Sequence, residues 1–341
     1  MNDIQYAYKC IKEKYLHLKL IGGSLSQCSI EKFINIPQDE HIVIGKGDNG
    51  IIIRYPKDDM SVYKLLITGK CDDAEEESKK HDAIYSALMD LVSKISKPHK
   101  LKLYLSYIPK PICYSDNKKS FVYMFDKTQY NIQCIYGMEY MIPLELKGNY
   151  FNNTYIQVHI ASYLTDKHDE KIVGFKRGNN NEYKGYMIGT ANHMIEILKS
   201  IHENDKYVGI EKPETPNEIF GCMGYICAIE CFMCKYIPYD LQFMLSYHSH
   251  DKSIKVVGFD FGIFQEYIEL DDQTMDKITD ALLNSPYVDG WEDEYWNATE
   301  GYSVSFIKGM EEAVELIGGE VEQRYLKYMR YIANKGVLFF V

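Results

Sequence analysis

The sequence predicts an α+β fold in two lobes, a β-rich N-terminal part joined near residue 142 to a mostly helical part. Three observations predict it. Short β-branched and aromatic runs broken by Gly, Pro and Asp turns fill residues 41–142. Apolar residues at helical spacing dominate beyond residue 187. The 341 residues leave room for two lobes at roughly 100–200 residues per domain.

Taken in order, residues 1–40 read as an N-terminal helical extension, with a helix over 4–20 and a break at Gly22-Gly23. Residues 41–142 form the first lobe. They begin with a three-strand meander over 41–66, in which a glycine-rich turn precedes Ile51-Ile52-Ile53 and a Pro56-Lys57-Asp58 turn precedes Val62-Tyr63-Lys64-Leu65-Leu66. The acidic start Asp72 to Glu77 opens a helix whose Ile84, Leu88 and Leu91 share one face, since acids suit a helix N-terminus. Strands follow at 101–108, 121–125 and 133–138, and Pro143 marks the exit. The second lobe, 143–341, carries an inserted hairpin near 150–185, helices at 187–203, 217–235, 304–317 and 320–334, and a β-rich stretch from Asp240 to Phe264.

Composition excludes several classes of function. With 46% hydrophobic and 26% charged residues, disorder is out. The net charge of −11 gives a nucleic-acid backbone no electrostatic pull, so no nucleic-acid partner is expected. No apolar run approaches the roughly 18 residues of a spanning helix, so no membrane partner is expected either. The start of the chain lacks the basic and apolar regions of a signal peptide. Nine cysteines, an odd number, fit a reducing compartment better than a disulfide framework. These features predict an intracellular, cytoplasmic protein.

The candidate chemistry begins at Gly45-Lys46-Gly47-Asp48-Asn49-Gly50, a G-x-G-x-x-G pattern. A β-branched run follows it where a dinucleotide-binding fold would start a helix, so the glycines belong to a strand-turn-strand hairpin. Such a hairpin is either an ordinary tight turn or a flap whose backbone amides approach phosphates. Fourteen residues on, Lys64 is a lone lysine in an apolar strand. It either snorkels at a sheet edge or meets phosphate oxygens, steadied by an ion pair with Glu77 on the inward face of the next helix. Glu75 and Glu76 compete with Glu77 for that role. Downstream, Asp240 and Asp260 stand at two loop mouths separated by a hairpin. They are either turn-capping acids or converge on one metal–phosphate site, with Asp260 holding Mg²⁺ and Asp240 facing the acceptor hydroxyl.

Gly45-Gly47-Gly50 with Ile52, Lys64, Glu77, Met138-Glu139-Tyr140-Met141, Asp240-Leu241 and Asp260-Phe261-Gly262 stand in an order that resembles the protein-kinase-like superfamily over residues 41–265. A weaker similarity is to a fungal kinase-like domain of unknown function. The resemblance implies a bilobal fold that binds ATP and Mg²⁺ between its lobes. Gly45, Gly47, Gly50 and Lys64 would then address the phosphates, with Glu77 steadying Lys64, and the backbone of Glu139 and Met141 would address the adenine. Asp240 with Lys64 would carry catalysis, and Asp260 the metal.

The departures qualify the activity. Leu245 stands where the family places a second metal-binding Asn, and Gln242 where it places a phosphate-facing Lys, so metal binding would rest on Asp260 with water or with Gln242. No Ala-Pro-Glu-like anchor follows. The expectation is weak or absent phosphotransfer; the alternatives are a catalytically dead scaffold for a protein partner and a small-molecule phosphotransferase of the aminoglycoside-kinase type. Cys227, Cys231 and Cys234 read as buried small hydrophobes on one helix face, His248 and His250 as solvated turn residues, and Trp291 and Trp296 as packing residues of a late helix.

Overall fold

A computed structural model describes residues 26–28, 40–46, 50–55, 58–67, 71–95, 101–146, 155–159, 195–234, 236–238, 241–259, 264–266, 293–317 and 339–340. The fold is α+β, in two units: Met1–Ser86 with Pro109–Met141, and Ala87–Ile108 with Ile142–Val341. The sequence-predicted helices at 4–20 and 320–334, and most of the hairpin at 150–185, lie outside the described residues.

The first unit is built on a six-stranded sheet. Its strands are β1 (Ser26–Gln27), β2 (Ile42–Lys46), β3 (Gly50–Tyr55), β4 (Asp58–Ile67), β6 (Pro111–Phe125) and β7 (Thr128–Glu139), in the order β1-β6-β7-β4-β3-β2. The two-residue strand β5 (Ser106–Tyr107) belongs to the second unit. Strands β2, β3 and β4 form the expected antiparallel meander, and the pairing continues through β7 to β6. The period-2 alternation of β3 and β4 sends Ile51, Ile53, Tyr63 and Leu65 to one face, where they pack with Tyr123, Ile132 and Ile135. On the other face Leu66, Cys134 and Tyr136 cluster with Cys71, the first residue of helix α1 (Cys71–Lys94).

Three local expectations are corrected. The strands read at 121–125 and 133–138 are parts of one long hairpin that turns at Asp126-Lys127, both at positive φ. Polar Ser115 to Ser120 hid its first half from a hydrophobic-pattern reading. Residues 101–108, read as a strand, form one only at Ser106–Tyr107; Leu103–Leu105, all buried, make a 3₁₀ turn entered from a left-handed Lys102. Four cysteines are also paired, Cys28 with Cys113 and Cys71 with Cys134, with Cα–Cα distances of 5.1 and 5.7 Å. The pairing of β1 with β6 and the packing of the start of α1 on β7 bring together residues 85 and 63 positions apart, which parity and spacing cannot show. The odd cysteine count therefore does not exclude disulfide pairing.

In the second unit a sheet has a larger part than the mostly helical expectation gave it. Strand β8 (Ile142–Pro143), β9 (Tyr155–His159), β11 (Leu241–His248), β12 (Ser253–Phe259) and β14 (Phe339–Phe340) join β5 in a second six-stranded sheet, with order β14-β9-β11-β12-β5 and β8 also on β11. So β9, placed in an inserted hairpin by the sequence, is an integral neighbour of β11. Two further strands, β10 (Tyr236–Pro238) and β13 (Phe264–Glu266), pair separately. Helix α2 (Pro216–Cys234) is buried almost all round from Ile219 to Glu230. It crosses helix α3 (Asp293–Ile317) at glycines: a Cβ on Gly224 would stand 1.9 Å from the Phe306 carbonyl oxygen, and one on Gly309 the same distance from that of Gly221. Cys222 and Cys227 are buried in α2, as small apolar residues would be. Among the described residues, no helix is long and apolar enough to cross a membrane.

Candidate functional site

Lys64 lies in β4, in register with Ile52 of β3 on one side and Tyr136 of β7 on the other. Alternation places its side chain opposite Tyr63 and Leu65, away from the apolar cluster and toward α1. There its Nζ stands 3.0 Å from both carboxylate oxygens of Glu77. The side chains are only 16% and 8% exposed. The helix period resolves the competition among the three glutamates. Glu75 pairs with Lys79 and Glu76 with Lys80 at i,i+4 on the outer face, which turns Glu77 to the sheet. A largely desolvated pair of this kind is a poor source of stability but costly to break, since removing one partner strands a buried charge.

One turn beyond Glu77, on the stripe that continues through Ile84, Leu88 and Leu91, lies His81, 1% exposed. Its Nδ1 meets the Tyr136 hydroxyl and its Nε2 lies 2.6 Å from the Pro109 carbonyl oxygen. Burial lowers its pKa, the bond to Pro109 opposes and the Lys64 charge adds, leaving it at about 3. The imidazole is therefore neutral at physiological pH. Burial, with Glu77 and Asp82 nearby, holds the Tyr136 phenol well above 10. Neither residue entered the sequence reading. The available signal was a histidine four residues after Glu77 on the same apolar stripe.

The glycine pattern does sit in a strand-turn-strand hairpin between β2 and β3. Gly47 lies outside the described residues. Gly50 has a packing reason, because a Cβ there would come within 2.3 Å of the Leu65 carbonyl oxygen, whereas Gly45, at a register shift in β2, faces open space. At the end of β7 the Glu139 amide donates to the Lys110 carbonyl at 2.9 Å, and the Tyr140 amide to that of Met60 at 2.8 Å. The Glu139 carboxylate accepts from the Lys110 amide at 3.0 Å, and Met141 is buried.

Asp240 and Asp260 lie outside the described residues, but the strands on either side of each are described. Gln242 pairs with Phe259 across β11 and β12, and Pro238 pairs with Phe264 across β10 and β13. The chain links that contain the two acids, 239–240 and 260–263, thus join the same two antiparallel ladders. Gln242 is half-buried, and Leu245, opposite Val256, is 1% exposed. Glu230, 2% exposed, has a carboxylate oxygen 3.5 Å from where a Cβ on Gly258 would stand, two residues before Asp260. Among the described residues no cluster of three or more His, Cys, Asp or Glu side chains is arranged to hold a metal ion. At the far end of the β11–β12 hairpin, His248 is not a free turn residue: its Nδ1 lies 3.1 Å from Asp251 and its ring packs on Tyr107, while His250 is exposed. Burial would raise the Asp251 carboxyl, but bonds from Lys255, Ser253 and His248 outweigh it and hold it at about 2. Trp291 and the side chain of Trp296 lie outside the described residues, as do the side chains of Cys231 and Cys234.

No family model matches the chain, and no curated protein matches it.

Proposed function

We propose that the chain is a kinase-like protein that binds ATP with Mg²⁺ and has weak or absent phosphotransferase activity. The observation that carries this reading is the Lys64–Glu77 pair, a lysine on the third strand of a meander held by a glutamate of the helix that follows. A protein kinase requires this pair to set an ammonium against nucleotide phosphates. The bracketing of Asp240 and Asp260 by two shared ladders supports the assignment of Asp260 to the metal and Asp240 to the acceptor. Gln242 fits a supporting ligand through its amide oxygen. The metal would neutralise phosphate charge; the chain's own part is to position the phosphates with Lys64 and the flap glycines. The test is thermal unfolding with ATP, with and without Mg²⁺, since a ligand of the native state raises stability by about 2.7 kcal/mol at a hundredfold excess over Kd. A midpoint raised by ATP and further by Mg²⁺ is expected; no shift at millimolar ATP overturns the reading.

Leu245 favours a second reading, a catalytically dead interaction scaffold. It is a core residue of a paired strand, so the position cannot supply a metal ligand without rebuilding. Leu245→Asn is expected to destabilise by about 3 kcal/mol, through lost apolar burial and an amide without partners, and to show no ATP turnover. A stable variant that hydrolyses ATP, and stops doing so with Asp240→Asn, would restore the enzyme reading.

A further inference from the structure

The hydrogen-bonding requirements of His81 fix more than its own protonation. The Pro109 carbonyl can only accept, so the Nε2 facing it carries the imidazole hydrogen and donates. A neutral ring then has a bare Nδ1, so the Tyr136 hydroxyl must donate to it. Tyr136 is also the cross-strand neighbour of Lys64, and His81 lies one turn from Glu77 on the same helix face. Beyond the Cys71 anchor at the start of α1, two polar contacts between helix and sheet are thus consecutive: Glu77 to Lys64 on β4, His81 to Tyr136 on the adjacent strand β7. The phenolic proton is thereby directed to the imidazole.

We infer that His81 and Tyr136 are positioning residues that set the depth and rotation of α1 on the sheet and so hold the Glu77 carboxylate on Lys64. The assignment deepens the nucleotide-binding reading, on which its consequence for ATP rests, but the geometry it describes belongs to the first unit alone. A histidine that merely filled space could be replaced by a ring of similar size. A positioning residue cannot, because phenylalanine neither donates to Pro109 nor accepts from Tyr136. Glutamine offers one amide donor and one carbonyl acceptor and can keep both bonds.

The experiment uses the full-length protein labelled with ¹⁵N-histidine, together with His81→Phe, Tyr136→Phe and His81→Gln. The His81 resonances, identified by their loss in His81→Gln, are expected to show an Nε2–H tautomer that stays unprotonated from pH 8 to pH 5. A ring that titrates near the ordinary histidine value overturns the inference. Peptide-level acylation of Lys64 by an amine-reactive reagent is expected to speed up about fivefold in His81→Phe and in Tyr136→Phe, and to return to the wild-type rate in His81→Gln. Unchanged reactivity in both phenylalanine variants overturns it as well. If His81→Phe does not fold, Tyr136→Phe, which keeps its ring, decides alone. ATP affinity should weaken in parallel with Lys64 exposure while adenosine affinity holds. Absence of ATP binding in the wild type would remove the functional reading and leave the tautomer and the Lys64 footprint to judge the positioning role.

Discussion

Two glycines of one motif separate packing from ligand recognition at the scale of single residues. Gly50 is required by the fold, since any side chain would strike the Leu65 carbonyl oxygen; Gly50→Ala is expected to destabilise by about 2 kcal/mol or more. Gly45 has no neighbour within 4 Å of a built Cβ, so Gly45→Ala should leave the unfolding midpoint within about 0.5 kcal/mol of wild type. If Gly45 is glycine so that backbone can approach phosphates, the same variant should still weaken ATP binding, which calorimetric titration would read. A stable Gly45→Ala variant with wild-type affinity would reduce the motif to a hairpin turn. The partner of Lys64 was legible in the sequence because the helix period alone separates Glu77 from Glu75 and Glu76. The His81–Tyr136 contact was not, because it depends on which strand lies beside β4, and β7 enters the sheet only after α1, a 3₁₀ turn and strands β5 and β6.

Elements with a strong local pattern were readable, and those defined by distant partners were not. The meander and helix α1 have clear periods of 2 and 3.6, and α2 is apolar throughout its centre. The full length of the β6–β7 hairpin and the place of β9 beside β11 follow from pairings across the chain that no single window contains, whereas the β11–β12 hairpin fell within the stretch read as β-rich. Helix crossing is of the same kind. Gly224 and Gly309 look like helix-weakening residues in sequence, yet each removes a Cβ where α2 and α3 approach backbone to backbone. Ala at either position should therefore destabilise, against the helix-propensity trend, by about 2 kcal/mol or more as the helices are forced apart. A stabilised Gly224→Ala variant, measured by denaturant unfolding, would contradict this crossing.

For the whole molecule, the two disulfides and the Lys64–Glu77 pair act on the same unit. Cys71 opens the helix that carries Glu77, and Cys134 lies two residues before Tyr136 on β7, so the second bridge ties α1 to the sheet beside the candidate site. Closing loops of this length constrains the unfolded chain by about 2–4 kcal/mol per bridge. A dithiol reductant is expected to lower the unfolding midpoint, and non-reducing peptide mapping to recover the Cys28–Cys113 and Cys71–Cys134 links; thiols that all alkylate in the unreduced protein would contradict them. On the proposed function, the Lys64–Glu77 pair serves phosphate binding and not stability. The most direct measurement is ATP- and adenosine-induced thermal stabilisation of a Lys64→Met/Glu77→Leu double variant beside the wild type. Replacing both charges with apolar side chains of similar length leaves no stranded charge, so the midpoint without ligand should stay near that of the wild type. Stabilisation by ATP with Mg²⁺ is expected to be lost while that by adenosine persists. An ATP shift equal to the wild type's in the folded double variant would contradict it.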